Sequence, residues 1–161
     1  MCGFVGYVND TPDKSVNEKI IKDMADRIRH RGPDQDDYYV DSSVSLGFRR
    51  LSIIDLDGGS QPILNEDGTK VLVFNGEIYN YQPIREELIK KGHVFRTKTD
   101  SEVLLHGYEE YGCELLNKLR GMFAFVIWDS TEKKLFGARD IFGIKPVSYT
   151  HLRAHETVLD L

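Results

Sequence analysis

The pattern of apolar and polar positions predicts that the chain opens with a strand and continues into an amphipathic helix. Residues 3–8 form a short apolar stretch of strand type, and a cluster of turn residues ends it. Ser15 and Glu18 then have the spacing of a capping box, and apolar residues recur at helical spacing as far as Arg29. Gly32 suits the left-handed conformation that ends many helices, and the proline after it prevents the helix from continuing.

The same reasoning divides the rest of the chain into short strands and further helices. Strands are predicted at residues 38–40, 44–48, 51–54, 94–97, 122–128 and 135–138. Helices are predicted at residues 84–91, from 100 to 111, and from 115 towards 121. Strands mixed with pairs of helices indicate packed sheets that are covered by helices, which is an α+β fold.

The segment 71–81 allows two interpretations. Asn75 and Gly76 lie between β-branched and aromatic residues, and Asn-Gly in that setting is the strongest short signal for a hairpin with a type I′ turn. The pair also has a functional interpretation, because a glycine lets a ligand approach its backbone N–H and the adjacent amide adds a second donor. Together these donors would form an oxyanion hole for acyl transfer. The local sequence alone favours the hairpin.

Charged residues stand at two informative positions. Arg49 and Arg50 interrupt an apolar stretch, and because alternate side chains of a strand face opposite ways, one of the two is expected to point inward. An inward arginine needs a carboxylate partner, either in a structural ion pair, which the local sequence favours, or in a bound carboxylate ligand. Asp100 precedes a predicted helix, so its default role is the N-cap, where the helix dipole tends to keep a carboxylate ionised.

Composition narrows the classes of function. The chain has 161 residues, of which 40% are hydrophobic, so it is the size of one domain and can bury a core without disulfides. Its net charge of -5 is spread over interspersed acidic and basic residues, which argues against binding to nucleic acid or to a membrane surface. There is no apolar run long enough to span a bilayer and no pattern of a signal peptide, so a cytoplasmic protein is expected.

The N-terminus offers a candidate nucleophile. If the initiator Met1 is removed, Cys2 carries both a thiol and a free α-amino group. Reference pKa values are about 8.5 for a thiol and about 7.7–8.0 for an α-amine, so near neutral pH part of the amine can accept the thiol proton. The alternative is that Cys2 is a small apolar residue that opens a strand. The other cysteine, Cys113, creates no spacing typical of a zinc site or a disulfide framework.

Several short motifs follow one another along residues 2–146. They are Cys-Gly at 2–3, Arg-His-Arg-Gly-Pro-Asp at 29–34, Arg-Leu-Ser-Ile-Ile-Asp at 50–55, Gln-Pro at 61–62, Phe-Asn-Gly-Glu-Ile-Tyr-Asn at 74–80, Thr-Asp-Ser-Glu at 99–102, Gly-Met-Phe-Ala-Phe at 121–125, and Gly-Ala-Arg-Asp to Gly-Ile-Lys-Pro over 137–146. Their order closely resembles the glutaminase domain of glutamine-hydrolysing asparagine synthetases, within the class II glutamine amidotransferases. The resemblance implies an N-terminal nucleophile hydrolase fold, a four-layer αββα sandwich that would be incomplete at the C-terminus.

The resemblance also implies which residues carry out the chemistry. Cys2 resembles the nucleophile that attacks the γ-amide of glutamine, with its own α-amine as the base. Asn75 and the Gly76 N–H resemble the oxyanion hole. No cofactor and no metal are implied for this domain.

Glutamine is the implied substrate, and a second set of residues resembles the groups that bind it. Arg50 resembles the residue that binds the α-carboxylate of glutamine, while Glu77 and Asp100 resemble the acceptors of its α-ammonium group. Ile54 belongs to the same substrate-binding set. A fork-shaped cation and two acceptors suit a free amino acid, because its opposite charges are a fixed distance apart.

Complete members of the family continue into a synthetase domain, where ATP and Mg serve to make asparagine from aspartate, and a homodimer is among their implied assemblies. No Ser-Gly-Gly-x-Asp-Ser pyrophosphate loop occurs here, so that domain is expected to be absent from this chain. Residues 147–161 depart from the family pattern and resemble the in-frame translation of a transposon-end sequencing adapter, with a divergent native tail as the alternative. Two other functions stay open: an amidotransferase with a different acceptor, and an inactive fragment that acts only as a binding module.

Overall fold

The computed structural model describes residues 2–51 and 60–150, and that part of the chain forms seven strands and four α-helices. The strands are β1 (Gly3–Val8), β2 (Gln35–Val40), β3 (Val44–Arg50), β4 (Ile63–Leu64), β5 (Lys70–Ile78), β6 (Gly121–Asp129) and β7 (Lys134–Arg139). The helices are α1 (Lys14–Arg27), α2 (Tyr81–Lys90), α3 (Ser101–Tyr111) and α4 (Leu115–Lys118), and short 3-10 helices lie at Arg29–Arg31 and Gly112–Glu114.

The first sheet has the order β1-β3-β2, with both outer strands antiparallel to the central β3. Helix α1 packs on this sheet and buries Ile21 and Ala25 completely. The helix begins earlier than the sequence suggested, because the Asp13 carboxylate is the N-cap and accepts the N–H of Ser15 at 2.9 Å. The predicted capping box is therefore wrong, since an acceptor two residues earlier already satisfies the first turn.

Gly32 does not adopt the left-handed conformation that was predicted for it. Its φ is -148°, which is extended backbone. A Cβ atom at this position would lie 2.4 Å from the carbonyl carbon of Arg49. The glycine is needed because the turn after the 3-10 helix packs directly on the backbone of β3.

The second sheet has the order β4-β5-β6-β7 and is antiparallel throughout. Strand β5 pairs with β6 without interruption from Lys70 opposite Asp129 to Ile78 opposite Gly121. The Asn75-Gly76 pair lies inside this strand, so the predicted hairpin turn is wrong. Pairing along all nine residues of β5 outweighs the local turn preference, and a Cβ on Gly76 would lie 2.2 Å from the Met122 carbonyl oxygen.

The two sheets pack face to face, and helices cover their outer faces. The inter-sheet core consists of Val44, Leu46 and Phe48 of β3 with Val71, Val73 and Trp128 of the second sheet. Apolar residues of α2 and α3 bury the opposite face of the second sheet, around Phe74, Phe125 and Phe136. The order helix, sheet, sheet, helix is the expected four-layer αββα arrangement, and the α+β class is confirmed.

Several predictions concern the irregular parts of the chain. The strand predicted at 94–97 is wrong, because this segment is an irregular connection whose backbone bonds to side chains of α2 and α3. Leu51 is irregular, and the rest of the strand predicted at 51–54 lies outside the described residues. Of the tail, residues 147–150 are irregular and residues 151–161 lie outside the described part. No helix among the described residues is long and apolar enough to cross a membrane.

Candidate active site

A cavity of about 270 Å³ opens where the start of β1, the edge of β5 and the start of α3 meet. Its walls are formed by Cys2, Phe48, Leu51, Gln61, Phe74, Asn75, Gly76, Thr99, Asp100, Ser101 and Lys145. Four residues that the sequence singled out, Cys2, Asn75, Gly76 and Asp100, therefore share one cavity although they are up to 98 positions apart.

Cys2 precedes β1 and is half-buried with a free thiol. The thiol sulfur lies 3.5 Å from the backbone N–H nitrogen of Leu51, which donates to it, and 3.8 Å from the Leu51 carbonyl oxygen. The Cys2 carbonyl oxygen accepts a hydrogen bond of 3.3 Å from Arg31 Nε. These contacts hold the N-terminal residue against the end of β3, with the thiol in the wall of the cavity.

The open edge of β5 is the second feature of the site. Phe74 exchanges two hydrogen bonds with the side chain of Gln61, its N–H donating at 2.6 Å and its carbonyl oxygen accepting at 3.1 Å. The Ile78 N–H donates to Asp100 Oδ2 at 2.8 Å. The N–H groups of alternate residues in a strand point to the same side, so the Gly76 N–H faces this edge as well.

The partner strand supports this direction for the Gly76 N–H. Gly76 is opposite Phe123 in β6. The Phe123 N–H donates to Asp140 Oδ2, and the Phe123 carbonyl oxygen accepts the Asp140 N–H, so both groups face away from β5. The pair is therefore not hydrogen-bonded, and no side chain or loop carbonyl among residues 2–51 and 60–150 accepts from the Gly76 N–H. A donor thus points into the cavity between the side chains of Gln61 and Asp100.

Asn75 supplies a second donor beside it. Its side chain lies on the same face of β5 as Val71 and Val73, which is the face toward the first sheet and Cys2. Asn75 is 7% exposed, and its side chain makes no hydrogen bond within the described part of the chain. Its amide is open to the cavity, since no fully buried polar side-chain atom of the described residues lacks a partner. An amide that has no protein partner and opens into a cavity is suited to a ligand oxygen.

Asp100 does not have the role that its position suggested. Its side chain makes no capping bond to α3 and instead accepts the N–H of Ile78 on β5. Burial, with a smaller contribution from the negative charge of Glu77, raises the pKa of Asp100 above its usual value, although the hydrogen bond from Ile78 opposes this shift. The start of a helix was expected to favour the ionised form of Asp100, but the pKa is raised and not lowered, because the carboxylate is buried.

Two other predicted site residues, Glu77 and Arg50, do not line the cavity. Glu77 is exposed at the end of β5, and Arg50 is half-exposed at the end of β3, where its Nη1 lies 3.4 Å from Gln35 Oε1. The inward arginine is Arg49, which bonds to Asp26 and lies 3.4 Å from Asp36 Oδ1. The structural ion pair is thus confirmed for Arg49. Ile54 lies outside the described residues.

Gln61 and Lys145 are among the buried residues of the cavity that sequence reasoning missed. Gln61 completes the edge of β5 with its side chain, and only its position in a Gln-Pro motif pointed to it. Lys145 is 6% exposed and lines the cavity, and its backbone N–H donates to Asp140 Oδ2 at 3.1 Å. Their contributions depend on chain segments that meet only in the folded protein.

A cluster that does not line this cavity contains ligand types that metals use. His93, His106 and Glu109 each place one ligand atom within 4.8 Å of the others. His106 Nδ1 lies 2.9 Å from Glu109 Oε2, and His93 Nε2 lies 3.3 Å from Glu110 Oε2, so these ring nitrogens already face carboxylates. Among the described residues that line the cavity, Cys2 and Asp100 are the ones whose side chains are of types that bind metals.

Comparison with protein families identifies one that matches nearly the whole chain. A family model described as a glutamine amidotransferase domain matches residues 1–159. The chain is 55% identical over 152 residues to glutamine-hydrolysing asparagine synthetase 1 of Bacillus subtilis (strain 168), covering 93% of this chain and 24% of that protein. It is 48% identical over 160 residues to asparagine synthetase 2 of the same organism, covering 98% and 21%. The chain thus spans about a quarter or less of the length of these relatives.

Solved structures give a consistent picture of the fold. Glutamine phosphoribosylpyrophosphate amidotransferase from B. subtilis, complexed with ADP and GMP, is similar with a TM-score of 0.50 and 25% identity, covering 63% of this chain and 24% of that one. A structure described as the allosteric regulatory enzyme of purine biosynthesis has a TM-score of 0.51 and 28% identity, with the same coverage.

Proposed function

The chain belongs to the glutamine amidotransferase domain family, and on that premise we propose that Cys2 hydrolyses the side-chain amide of glutamine to glutamate and ammonia. One observation carries the proposal: the Cys2 thiol shares a cavity with a strand-edge N–H and the Asn75 amide, neither of which has an acceptor among the described residues. A nucleophile beside two unused donors is the arrangement that acyl transfer requires.

The first half of the reaction forms a thioester. After removal of Met1, the α-amine of Cys2 takes the thiol proton, and the sulfur attacks the carbonyl carbon of the glutamine amide. The carbonyl oxygen becomes an oxyanion, which accepts hydrogen bonds from the Gly76 N–H and the Asn75 amide. When the tetrahedral intermediate collapses, the C–N bond breaks, and the α-ammonium group returns its proton to the leaving nitrogen as ammonia departs.

The second half regenerates the thiol. The same α-amine removes a proton from water, the hydroxide adds to the thioester carbon, and the oxyanion forms again in the same place. Collapse then breaks the C–S bond, and the sulfur recovers its proton as glutamate leaves. One residue thus serves as nucleophile and base in both halves, so the chemistry requires no cofactor.

We propose that the amino acid end of glutamine lies toward the rim of the cavity. Glu77 and Asp100 flank the end of β5 and present two carboxylates to the α-ammonium group. Arg50 at the end of β3 would bind the α-carboxylate in a bidentate pair, and Ile54 is proposed to contact the substrate. This arrangement directs the amide toward Asn75 and Gly76.

The test is glutamate and ammonia production by the whole chain, after mass spectrometry has shown that Met1 is absent. Cys2→Ala should abolish the activity, and an electrophilic glutamine analogue should label Cys2 in the unmodified chain. Cys113→Ser is the matched control, because Cys113 is also a half-buried free thiol but packs against the helix-covered core. Binding of glutamine without hydrolysis or labelling would instead identify an inactive binding module.

We further propose that the ammonia serves asparagine formation from aspartate, with ATP and Mg bound by a synthetase domain of a longer, cytoplasmic and homodimeric protein. The support is the difference in identity: 55% to a glutamine-hydrolysing asparagine synthetase, against 25% to a phosphoribosylpyrophosphate amidotransferase. A reducing compartment also suits a working thiol. Adapter-free sequencing of the locus beyond the codon for Pro146 tests this, since an open frame must continue into a pyrophosphate loop.

A further inference from the structure

Glu102 lies two residues beyond Asp100 and is 4% exposed, yet it does not line the cavity. Its two carboxylate oxygens hold the backbone of the preceding connection. Oε1 accepts the Arg96 N–H at 2.7 Å, and Oε2 accepts the Thr97 N–H at 2.8 Å and the Thr97 hydroxyl at 2.6 Å. A buried side chain of α3 therefore closes the loop that ends at Asp100 back onto the helix.

The hydroxyl groups of this loop continue the network toward the cavity. Thr97 Oγ1 lies 2.8 Å from Thr99 Oγ1, which lies 3.0 Å from Ser101 Oγ. Thr99 and Ser101 both line the cavity on either side of Asp100. From the other side, Arg85 on α2 donates to the Thr97 carbonyl oxygen at 2.6 Å. The position of Thr97 is thus determined from two helices, and Asp100 is three residues from it.

The carboxylate of Glu102 is maintained in its charged form by these contacts. Burial alone would raise its pKa, but the hydrogen bonds from Thr97 and Arg96, together with the charge of His106, lower it instead. His106 Nε2 lies 3.6 Å from Glu102 Oε1 on the next turn of α3, and His106 is 2% exposed. A charged acceptor holds backbone N–H groups more strongly than a neutral one does.

From this network we infer that Glu102 is a positioning residue for the α-ammonium site. It fixes the connection over residues 96–100, and so determines where the Asp100 carboxylate meets the Ile78 N–H, two residues along the edge from Gly76. The distance between the ammonium acceptor and the oxyanion donors must match the length of glutamine. The part of this inference that concerns glutamine binding rests on the proposed function. The geometric part, that Glu102 determines the Asp100–Ile78 contact, does not depend on it.

The test is Glu102→Gln in the whole chain. The carboxamide keeps one acceptor oxygen but turns an NH₂ group toward the Arg96 or the Thr97 N–H, so one side of the loop is released. Because contacts to charged groups are the strong ones, the KM for glutamine should rise about tenfold or more while kcat changes less than about threefold. Hydrogen exchange of the Ile78 amide should accelerate, since Asp100 no longer holds it.

Asp100→Asn and the double variant show whether the effect passes through Asp100. If it does, adding Glu102→Gln to Asp100→Asn produces little further rise in KM, because neighbours in one network are not additive. If the two substitutions instead raise the KM by independent factors that multiply in the double variant, the inference is wrong.

Asp129→Asn is the matched control, because Asp129 is also buried and accepts two backbone N–H groups, those of Thr131 and Glu132, at the other end of the sheet. It should lower Tm without changing the KM or the exchange of the Ile78 amide. If Glu102→Gln behaves like this control, its role is structural and the inference is wrong. If the unmodified chain hydrolyses no glutamine, the proposed function fails, and the exchange of the Ile78 amide alone decides the geometric part.

Discussion

Replacement of Asn75 by alanine should lower the rate of glutamine hydrolysis in this chain without lowering its folding stability. Asn75 is 7% exposed, and among the described residues its side chain has no hydrogen-bond partner to lose. Its removal should therefore cost little folding stability. If the amide binds the oxyanion, the variant loses about 2.7–4 kcal/mol of transition-state stabilisation, which is roughly a 100- to 1,000-fold fall in kcat.

The assay is steady-state glutamate production combined with thermal unfolding. The KM for glutamine should change much less than kcat, because the oxyanion exists only in the transition state and the tetrahedral intermediate. Labelling of Cys2 by an electrophilic glutamine analogue shows in the same sample that the thiol is still accessible.

Asn65→Ala is the matched control for this prediction. Asn65 is 6% exposed, but it donates to Thr69 and Glu109 and accepts the Lys70 N–H at 2.9 Å. It should lose more stability than Asn75→Ala, about 1–3 kcal/mol for the groups left unpaired, and keep its kcat. Equal losses of kcat and of glutamine affinity in Asn75→Ala, or an unchanged kcat, would refute the oxyanion role.

Three further predictions follow from the same geometry. Burial and the charge of Glu77 raise the pKa of Asp100, and the α-ammonium group of glutamine needs the ionised carboxylate. The KM for glutamine should therefore rise as the pH falls through that raised pKa, and the pH profile of Asp100→Asn should lack this dependence. Gly76→Ala should destabilise the fold by about 1–3 kcal/mol or more in denaturant titrations, because its methyl group would lie 2.2 Å from a carbonyl oxygen of β6. Ile141 and Phe142 are 92% and 84% exposed, so the chain should self-associate in analytical ultracentrifugation, and aspartate at both positions should reduce that association.

The layers of the fold could be predicted from the sequence because they depend on local periodicity. The β1 and β3 strands and the helices α1, α2 and α3 occur close to their predicted positions, since each buries one face against a sheet. The hairpin at Asn75-Gly76 could not be excluded in this way. Whether that pair turns or extends depends on β6, which pairs with β5 from a segment more than 40 residues later.

The arginine pair shows the same limit on a smaller scale. Alternation predicted that one of the two faces inward but could not say which one. The register decides it: Arg49 is opposite Asp36 in β2, while Arg50 is opposite Gln35. Arg49 thereby obtains carboxylate partners from β2 and α1, and Arg50 is left at the strand end nearest to the cavity. The raised pKa of Asp100 is equally a product of packing, because it arises from burial against β5 and not from the position at a helix start.

The site can be understood as a gap in the edge of a sheet. Strand β4 pairs with β5 only at Leu72 and Val71, and beyond that point no other strand of residues 2–51 and 60–150 pairs with this edge of β5. An exposed edge leaves backbone N–H groups without acceptors, and here the Gln61 side chain satisfies Phe74 while Asp100 satisfies Ile78. Gly76 lies between them, and its N–H has no acceptor among the described residues. In the proposed reaction, the substrate oxygen takes the place that a carbonyl oxygen of a neighbouring strand would occupy. A backbone N–H can serve as the donor there because the side chains of Gln61 and Asp100 already satisfy the N–H groups on either side of it.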